Sequence, residues 1–215
     1  MKFLPLFKSA FRYRVWPWYY FYALGKICLD PAYGTVLETL RNSPRPLLDI
    51  GCGMGLLATY LRENGYQSPI TGLDLDSGKI ALAKRAFQSR SGEFLVGEAL
   101  ELPDHSGDVV MLDVLHYLDD ASQLKLLQKV ADRIAPGGVA LIRVGLNEPN
   151  LRFACTQLEE WFVKFCRWIP TSGWNFPFRD EIMVSFDETQ FEGVVHPMWG
   201  YTPFNSYLFI FRRKE

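Results

Sequence analysis

Four acidic side chains stand at equivalent places in this chain. Asp49, Asp74, Glu98 and Asp113 each lie at or just past the end of a short apolar run. The first sits in Leu47-Leu48-Asp49-Ile50-Gly51-Cys52-Gly53-Met54-Gly55-Leu56, which reads as a buried strand entering a glycine-rich turn and then a helix. A loop built for phosphate offers backbone N–H groups at a helix N-terminus and gains nothing from an acid beside them. Four carboxylates around one crevice would repel a pyrophosphate. They favour a ligand with ribose hydroxyls, an ammonium group and a positive centre.

For the acids to meet, their strands must lie parallel and side by side. Strands are expected at Leu47–Gly51, Ile70–Asp74, Glu93–Gly97, Val109–Val114 and Val139–Val144. Helical spacing links Ile80, Ala83 and Phe87, and again Leu124, Leu127, Ala131 and Ile134. Ser122 is a candidate N-cap for the second helix, and Ala135-Pro136-Gly137-Gly138 stops it. Alternating β and α units of this size imply a parallel sheet with helices on both faces. Phe191–His196 and Ser206–Phe211 leave no room for a helix between them, so they form an antiparallel pair. The expected fold is α/β: a doubly wound, mostly parallel seven-stranded sheet with one antiparallel strand near the edge. Around a core at 46–145, the single domain would carry a helical cap at 1–45, a helix and loop at 146–190, including a helix over Arg152–Trp168, and the final strands at 191–215. Both flanking segments should sit over the carboxyl edge of the sheet, where open α/β folds bind ligands.

Five motifs in order carry a resemblance: Leu48-Asp49-Ile50-Gly51-Cys52-Gly53-Met54-Gly55, Gly72-Leu73-Asp74-Leu75-Asp76, Gly97-Glu98-Ala99, Asp113-Val114-Leu115-His116-Tyr117-Leu118 and Ala135-Pro136-Gly137-Gly138. Over residues 46–145 the chain resembles the class I methyltransferases dependent on S-adenosylmethionine, whose fold is Rossmann-like. That donor has the three features the acids favour: a sulfonium, an amino-acid end and an adenosine. The resemblance implies that Gly51, Cys52, Gly53 and Gly55 form the loop against the methionine part, with Asp49 ordering it. It implies that Asp74 takes both ribose hydroxyls, as a carboxylate can, that Leu75 packs on the adenine, and that Glu98 with the Ala99 backbone meets the adenine edge. Asp113 would lie near the methionine amino group or the acceptor. Asp76 reads as a capping or solvated acid, and Cys52 as a small packed residue. A nicotinamide-dependent oxidoreductase is the rival fingerprint, but its third glycine falls on Leu56.

Methyl transfer asks the protein chiefly to hold the acceptor in line and close. His116, three residues after Asp113, is the first candidate for a general base, and Tyr117 is the second polar candidate. His105 reads as an exposed loop residue and His196 as structural. No carboxylate–histidine cluster has metal-ligand spacing, so no metal is expected. The aromatic stretch Phe11 to Tyr22 suits a packed cap, a lid over an aromatic or apolar acceptor, or a peripheral membrane contact. Pro17 suits a first helical turn. Trp161, Phe162, Phe165 and Trp168 look like core at helical spacing. Arg12, Arg14, Arg143 and Arg179 could meet an acidic or carrier-bound acceptor. Asp30-Pro31-Ala32-Tyr33, the motif around His116, and Trp199–Leu208 are similar to methyltransferases of bacterial aryl-polyene pigment clusters. That similarity implies a small aromatic or acyl-carrier-bound substrate.

Composition narrows the field further. The chain has 215 residues, of which 48% are hydrophobic and 22% charged, as in a globular domain. A formal charge of −1 argues against a dedicated nucleic-acid binder. The cysteines Cys28, Cys52, Cys155 and Cys166 are scattered, which suggests reduced thiols and a cytoplasmic setting. A non-catalytic module of the same fold, docking on a membrane or a partner protein, is the alternative to an enzyme.

Overall fold

The computed structural model describes residues 3–14, 17–87, 91–165, 175–200 and 202–215. Three helices come first: α1 (Phe3–Phe11), α2 (Pro17–Leu29) and α3 (Pro31–Leu40). The core then alternates as β1 (Leu47–Ile50), α4 (Leu56–Glu63), β2 (Ile70–Asp74), α5 (Ser77–Phe87), β3 (Gly92–Val96), β4 (Asp108–Leu112), α6 (Asp120–Arg133) and β5 (Val139–Gly145). A 3₁₀ turn over Leu115–Tyr117 joins β4 to α6. Helices α7 (Leu151–Phe165) and α8 (Arg179–Val184) lead to β6 (Phe191–Pro197) and β7 (Ser206–Arg213).

The strand order is β3-β2-β1-β4-β5-β7-β6. Strands β1 to β5 pair parallel, and β7 pairs antiparallel with both β5 and β6. The expected architecture is therefore present, with the one reversed strand next to the edge. Side chains alternate strictly between two cores. Leu47, Val110, Leu141, Leu208 and Ile210 pack with α1 to α5, while Leu48, Ile50, Val109, Met111, Ile142 and Phe209 pack with α6 and α8. This period of two across strands buried on both faces is what a doubly wound sheet demands.

Several local expectations change. Ser122 is not the N-cap of α6. Asp119 takes an extended backbone, and its Oδ1 accepts from Ser122 N at 2.9 Å, so the helix starts earlier. The buried stripe of α6 is Gln123, Leu126, Leu127 and Val130, whereas Leu124 is exposed. Trp161 is exposed and not core. Val15, Trp16, Cys166, Trp168 and the side chains of Phe162 and Phe165 lie outside the described residues, as do residues 170–174.

The sheet's opposite, N-terminal edge is stitched by Asp108, which is fully buried. Its Oδ1 accepts from Val139 N at 2.9 Å, its Oδ2 accepts from the Ser43 hydroxyl, and its own N–H donates to Pro46 O at 2.9 Å. One carboxylate thus fastens the starts of β4 and β5 to the segment entering β1. His105, half-buried and not exposed, adds a ring contact at 3.0 Å to Asp108 O. Replacing Asp108 by Ala would leave the buried Val139 N–H and the half-buried Ser43 hydroxyl without their acceptor. Urea unfolding should show a loss of about 2–3 kcal/mol, while ligand binding at the far edge of the sheet keeps its affinity.

Candidate functional site

The carboxyl ends of β1, β2 and β4 meet where the strand order reverses, between β1 and β4. The turn after β1 is built by glycines with positive φ, each for its own reason. Gly51 (φ +72°) would drive a Cβ to 2.1 Å from Val114 Cγ2, and Gly55 (φ +72°) would drive one to 2.9 Å from Ala83 Cβ. At Gly53 (φ +53°) a Cβ would meet nothing, so the backbone conformation alone asks for glycine. The N–H groups of Gly51 and Cys52 donate to Leu73 O, and Gly53 N donates to Asp74 Oδ2 at 2.8 Å. Strand β2 thus holds the loop through Leu73 and Asp74. Tyr13 braces the same loop, donating its hydroxyl to Met54 O at 3.0 Å.

Asp49 plays a different part. It is buried at 3% exposure, and its Oδ2 has no hydrogen-bond donor among the described residues. Burial, with the Asp74 charge added, pushes its carboxyl from the ordinary 3.8 up to about 7. Asp74 is half-buried, and its Oδ1 accepts from Asp76 N at 2.9 Å. Asp76 caps α5 by accepting from Gly78 N and Lys79 N. Cys52 is buried, and desolvation raises its thiol far above the usual range, which fits a packed residue and not a nucleophile.

One cavity of about 1160 Å³ connects these groups. Asp49, Gly51, Cys52, Gly53, Asp74, Leu75, Glu98, Ala99, Asp113, His116 and Tyr117 all line it. Gly55 is not on the wall and acts by letting α4 approach α5 and β3. Leu75 and Glu98 are exposed at the rim, and Ala99 is half-buried. Asp49, Asp74 and Glu98 form no salt bridge among the described residues, so this half of the cavity is electronegative.

The other half is neutralised. Arg143, buried on β5, bonds both oxygens of Asp113, with Nε to Oδ1 at 2.9 Å, and also bonds Asp30. Lys26 stands 3.2 Å from Asp30 and 4.0 Å from Asp113. Burial alone would raise the Asp30 carboxyl, but the Arg143 and Lys26 charges outweigh it and hold it near 2. Asp113 is thus bound by the protein itself, and it sits in the left-handed region at φ +59°. Three of the four arginines offered to an acceptor are engaged: Arg143 as described, Arg12 with Glu63 at 3.1 Å, and Arg179 with Glu148 at 3.5 Å. Arg14 is exposed and lies over the Phe11 ring.

His116 is buried in a ring stack, with Phe176 5.3 Å away and nearly parallel, and Tyr117 4.1 Å away. Its carbonyl accepts from Asn175 N at 2.6 Å, which ties the 3₁₀ turn to the segment before α8. His196, read as structural, is exposed on the edge strand β6. The sequence reading missed Lys26, Asp30, Tyr33, Phe176 and Met198 as wall residues. Asp30 had one available signal: Asp-Pro is a helix start, and its Oδ1 accepts from Ala32 N to cap α3.

Comparison with known proteins bears on this arrangement. Residues 47–138 match the family model described as a methyltransferase domain. The chain is 29% identical over 161 residues to the ribosomal protein L11 methyltransferases of Burkholderia cenocepacia and Paraburkholderia phytofirmans, a match covering 68% of this chain. It spans about half the length of these curated relatives, at 49%. Among solved structures, magnesium protoporphyrin IX methyltransferase from Synechocystis with bound S-adenosylhomocysteine superposes with a TM-score of 0.66 at 16% identity, covering 85% of this chain and 82% of that one. The S-adenosylmethionine-dependent methyltransferase SibL in its apo form gives 0.67 at 16%, covering 96% and 62%. The loop glycines, the ordered acids, the sheet order and these likenesses agree: residues 47–138 match the methyltransferase-domain model, and the chain shares its fold with solved S-adenosylmethionine-dependent methyltransferases.

Proposed function

We propose that this protein transfers a methyl group from S-adenosylmethionine to a small aromatic acceptor, at oxygen or carbon. The observation that carries the reading is one cavity with two kinds of lining. Asp49, Asp74 and Glu98 line it together with the rings of Trp18, Tyr19, Tyr22, Tyr33, Phe176 and Phe204. Its volume of about 1160 Å³ lies somewhat above the ~300–1,000 Å³ of an ordinary ligand pocket, enough for a nucleoside cofactor and a second ring.

The residues present fit the cofactor. Asp49 offers a buried carboxylate oxygen with no donor among the described residues, suited to a cationic group. Gly53 leaves open space where any other residue would place a Cβ. Asp74 keeps lone pairs on both oxygens beyond the backbone bonds they accept, so it can take ribose hydroxyls, while Leu75, Glu98 and Ala99 frame the adenine. Bound there, S-adenosylmethionine would supply an activated methyl group and a neutral thioether leaving group. The aromatic wall would orient the acceptor and exclude water. His116, locked by its stack, would hold the proton of a hydroxyl acceptor, with Tyr117 beside it. Similarity to aryl-polyene methyltransferases supports a phenolic or carrier-bound aryl head group. A protein side chain is the competing acceptor, because the curated relatives are named for ribosomal protein L11. The aromatic wall favours the small acceptor.

Three outcomes test this reading. Calorimetry should show S-adenosylmethionine binding that Asp74→Ala weakens by at least about tenfold, and turnover should occur with phenols or aryl thioesters but not with ribosomal protein L11. Methylation of L11 in place of the phenols would overturn the acceptor assignment. His116→Gln should lower kcat while leaving cofactor affinity unchanged. The third outcome is a pH dependence from Asp49. A cationic donor favours the carboxylate, so affinity should rise as pH climbs through about 7, and Asp49→Asn should abolish that slope. Stability runs the other way. The folded-state value lies above the unfolded 3.8, so the favourable contribution is complete below that value and is lost as pH rises to about 7. Without ligand, Asp49→Asn should therefore melt higher than the parent at pH 8, and the difference should shrink toward pH 4.

A further inference from the structure

The N-terminal helices carry an exposed apolar surface that the proposed chemistry uses only in part, since Trp18, Gly25 and Leu29 also line the cavity. Helix α2 buries Ala23 and Ile27, and α1 and α2 pack on each other. On its outer side α2 presents Trp18 (67% exposed), Phe21 (65%), Cys28 and Leu29, with Gly25 between them. These positions recur at three, seven and ten to eleven residues, so they form one stripe along the helix. Helix α1 adds exposed Phe7 and Phe11, one turn apart. Large apolar side chains in such number on an outer face mark an interaction site.

Charge narrows what fits that site. Residues 1–29 contain Lys2, Lys8, Arg12, Arg14 and Lys26, and all 24 acidic residues of the chain lie beyond them. Lys8 and Arg14 are exposed, and the Arg14 guanidinium lies 4.2 Å over the Phe11 ring, so cation and aromatic face solvent together. Exposed tryptophan and phenylalanine beside arginine and lysine, without acids, complement the interface of a bilayer that bears anionic headgroups. A purely acidic protein partner would explain the bases but not the bare aromatic stripe. Among the described residues no helix is long and apolar enough to cross a membrane, so the contact would be peripheral.

Trp18 and Leu29 belong both to this stripe and to the cavity wall. We propose that α1 and α2 dock this protein on an anionic membrane surface, with the cavity opening beside the lipid interface. The surface contact stands apart from the catalytic reading. The corollary, that an amphiphilic aromatic acceptor enters from the bilayer, rests on that reading.

Vesicle co-sedimentation of the full chain, without cofactor, tests the contact. With vesicles of phosphatidylcholine containing one third phosphatidylglycerol, the bound fraction should exceed that on pure phosphatidylcholine by about tenfold, and should fall as salt is raised. Phe7→Ser with Phe21→Ser, and separately Lys8→Glu with Arg14→Glu, should each cut binding several-fold while circular dichroism and melting temperature hold. None of these four residues lines the cavity. A chain that stays in the supernatant with both vesicle types overturns the proposal. So does equal binding by the parent and both variants, or a concentration-dependent dimer that Phe21→Ser abolishes. Failure here leaves donor binding intact, and absence of donor binding leaves vesicle docking intact, so the two readings fall separately.

Discussion

Strands β1 to β4 run in one direction, and their register is locked by backbone pairing: Asp49 lies opposite Gly72 of β2 and Val110 of β4. Each chain direction puts its carboxyl ends at the same edge, so residues far apart in sequence become neighbours without any special contact between them. The glycine turn, Asp74 and the Asp113 corner are all consequences of that shared edge. Even the Gly53 N–H bond to Asp74 Oδ2 is a bond between neighbouring strand ends.

Two ways of burying charge face each other across this edge. Asp49 is desolvated without a cation, so its carboxyl rises to about 7. Asp30 is desolvated beside Arg143 and Lys26, so its carboxyl falls near 2. The first arrangement leaves attraction for a cation from outside. The second spends its attraction within the fold, joining the α2–α3 corner to β4 and β5. A buried ion pair of this kind contributes specificity of arrangement as readily as stability. Here it sets where the aromatic roof of the cavity stands relative to the strand ends.

The sheet was legible in the sequence because each strand is an apolar run closed by a turn. Ile70–Asp74 is found within the same limits as read, and the final pair is antiparallel because eight residues separate β6 from β7. The acids at the strand ends were legible for the same reason. Local pattern failed where tertiary partners decide. Arg143 sits in a strand of apolar neighbours and reads as a lone cation, yet two carboxylates from distant segments enclose it. Leu124 fits a helical period as well as Leu126 does, and only the placement of α6 against β4 exposes one and buries the other. Asp119 was overlooked because a serine and an aspartate three residues apart are both good caps, and the pair uses both side chains. The roof over the cavity could be read as aromatic, but its position depends on the Asp30 contact, which no spacing rule encodes.

Position 113 shows how narrow such a corner becomes. A left-handed backbone at φ +59° admits glycine, asparagine and aspartate with little strain and resists most other side chains. The guanidinium behind it asks for a negative charge at a fixed reach, which glycine and asparagine lack. Glutamate carries the charge on a longer arm and without the dihedral tolerance. Shape and charge together leave aspartate as the single substituent compatible with both demands, so drift at this corner is closed unless residues 30 and 143 change with it.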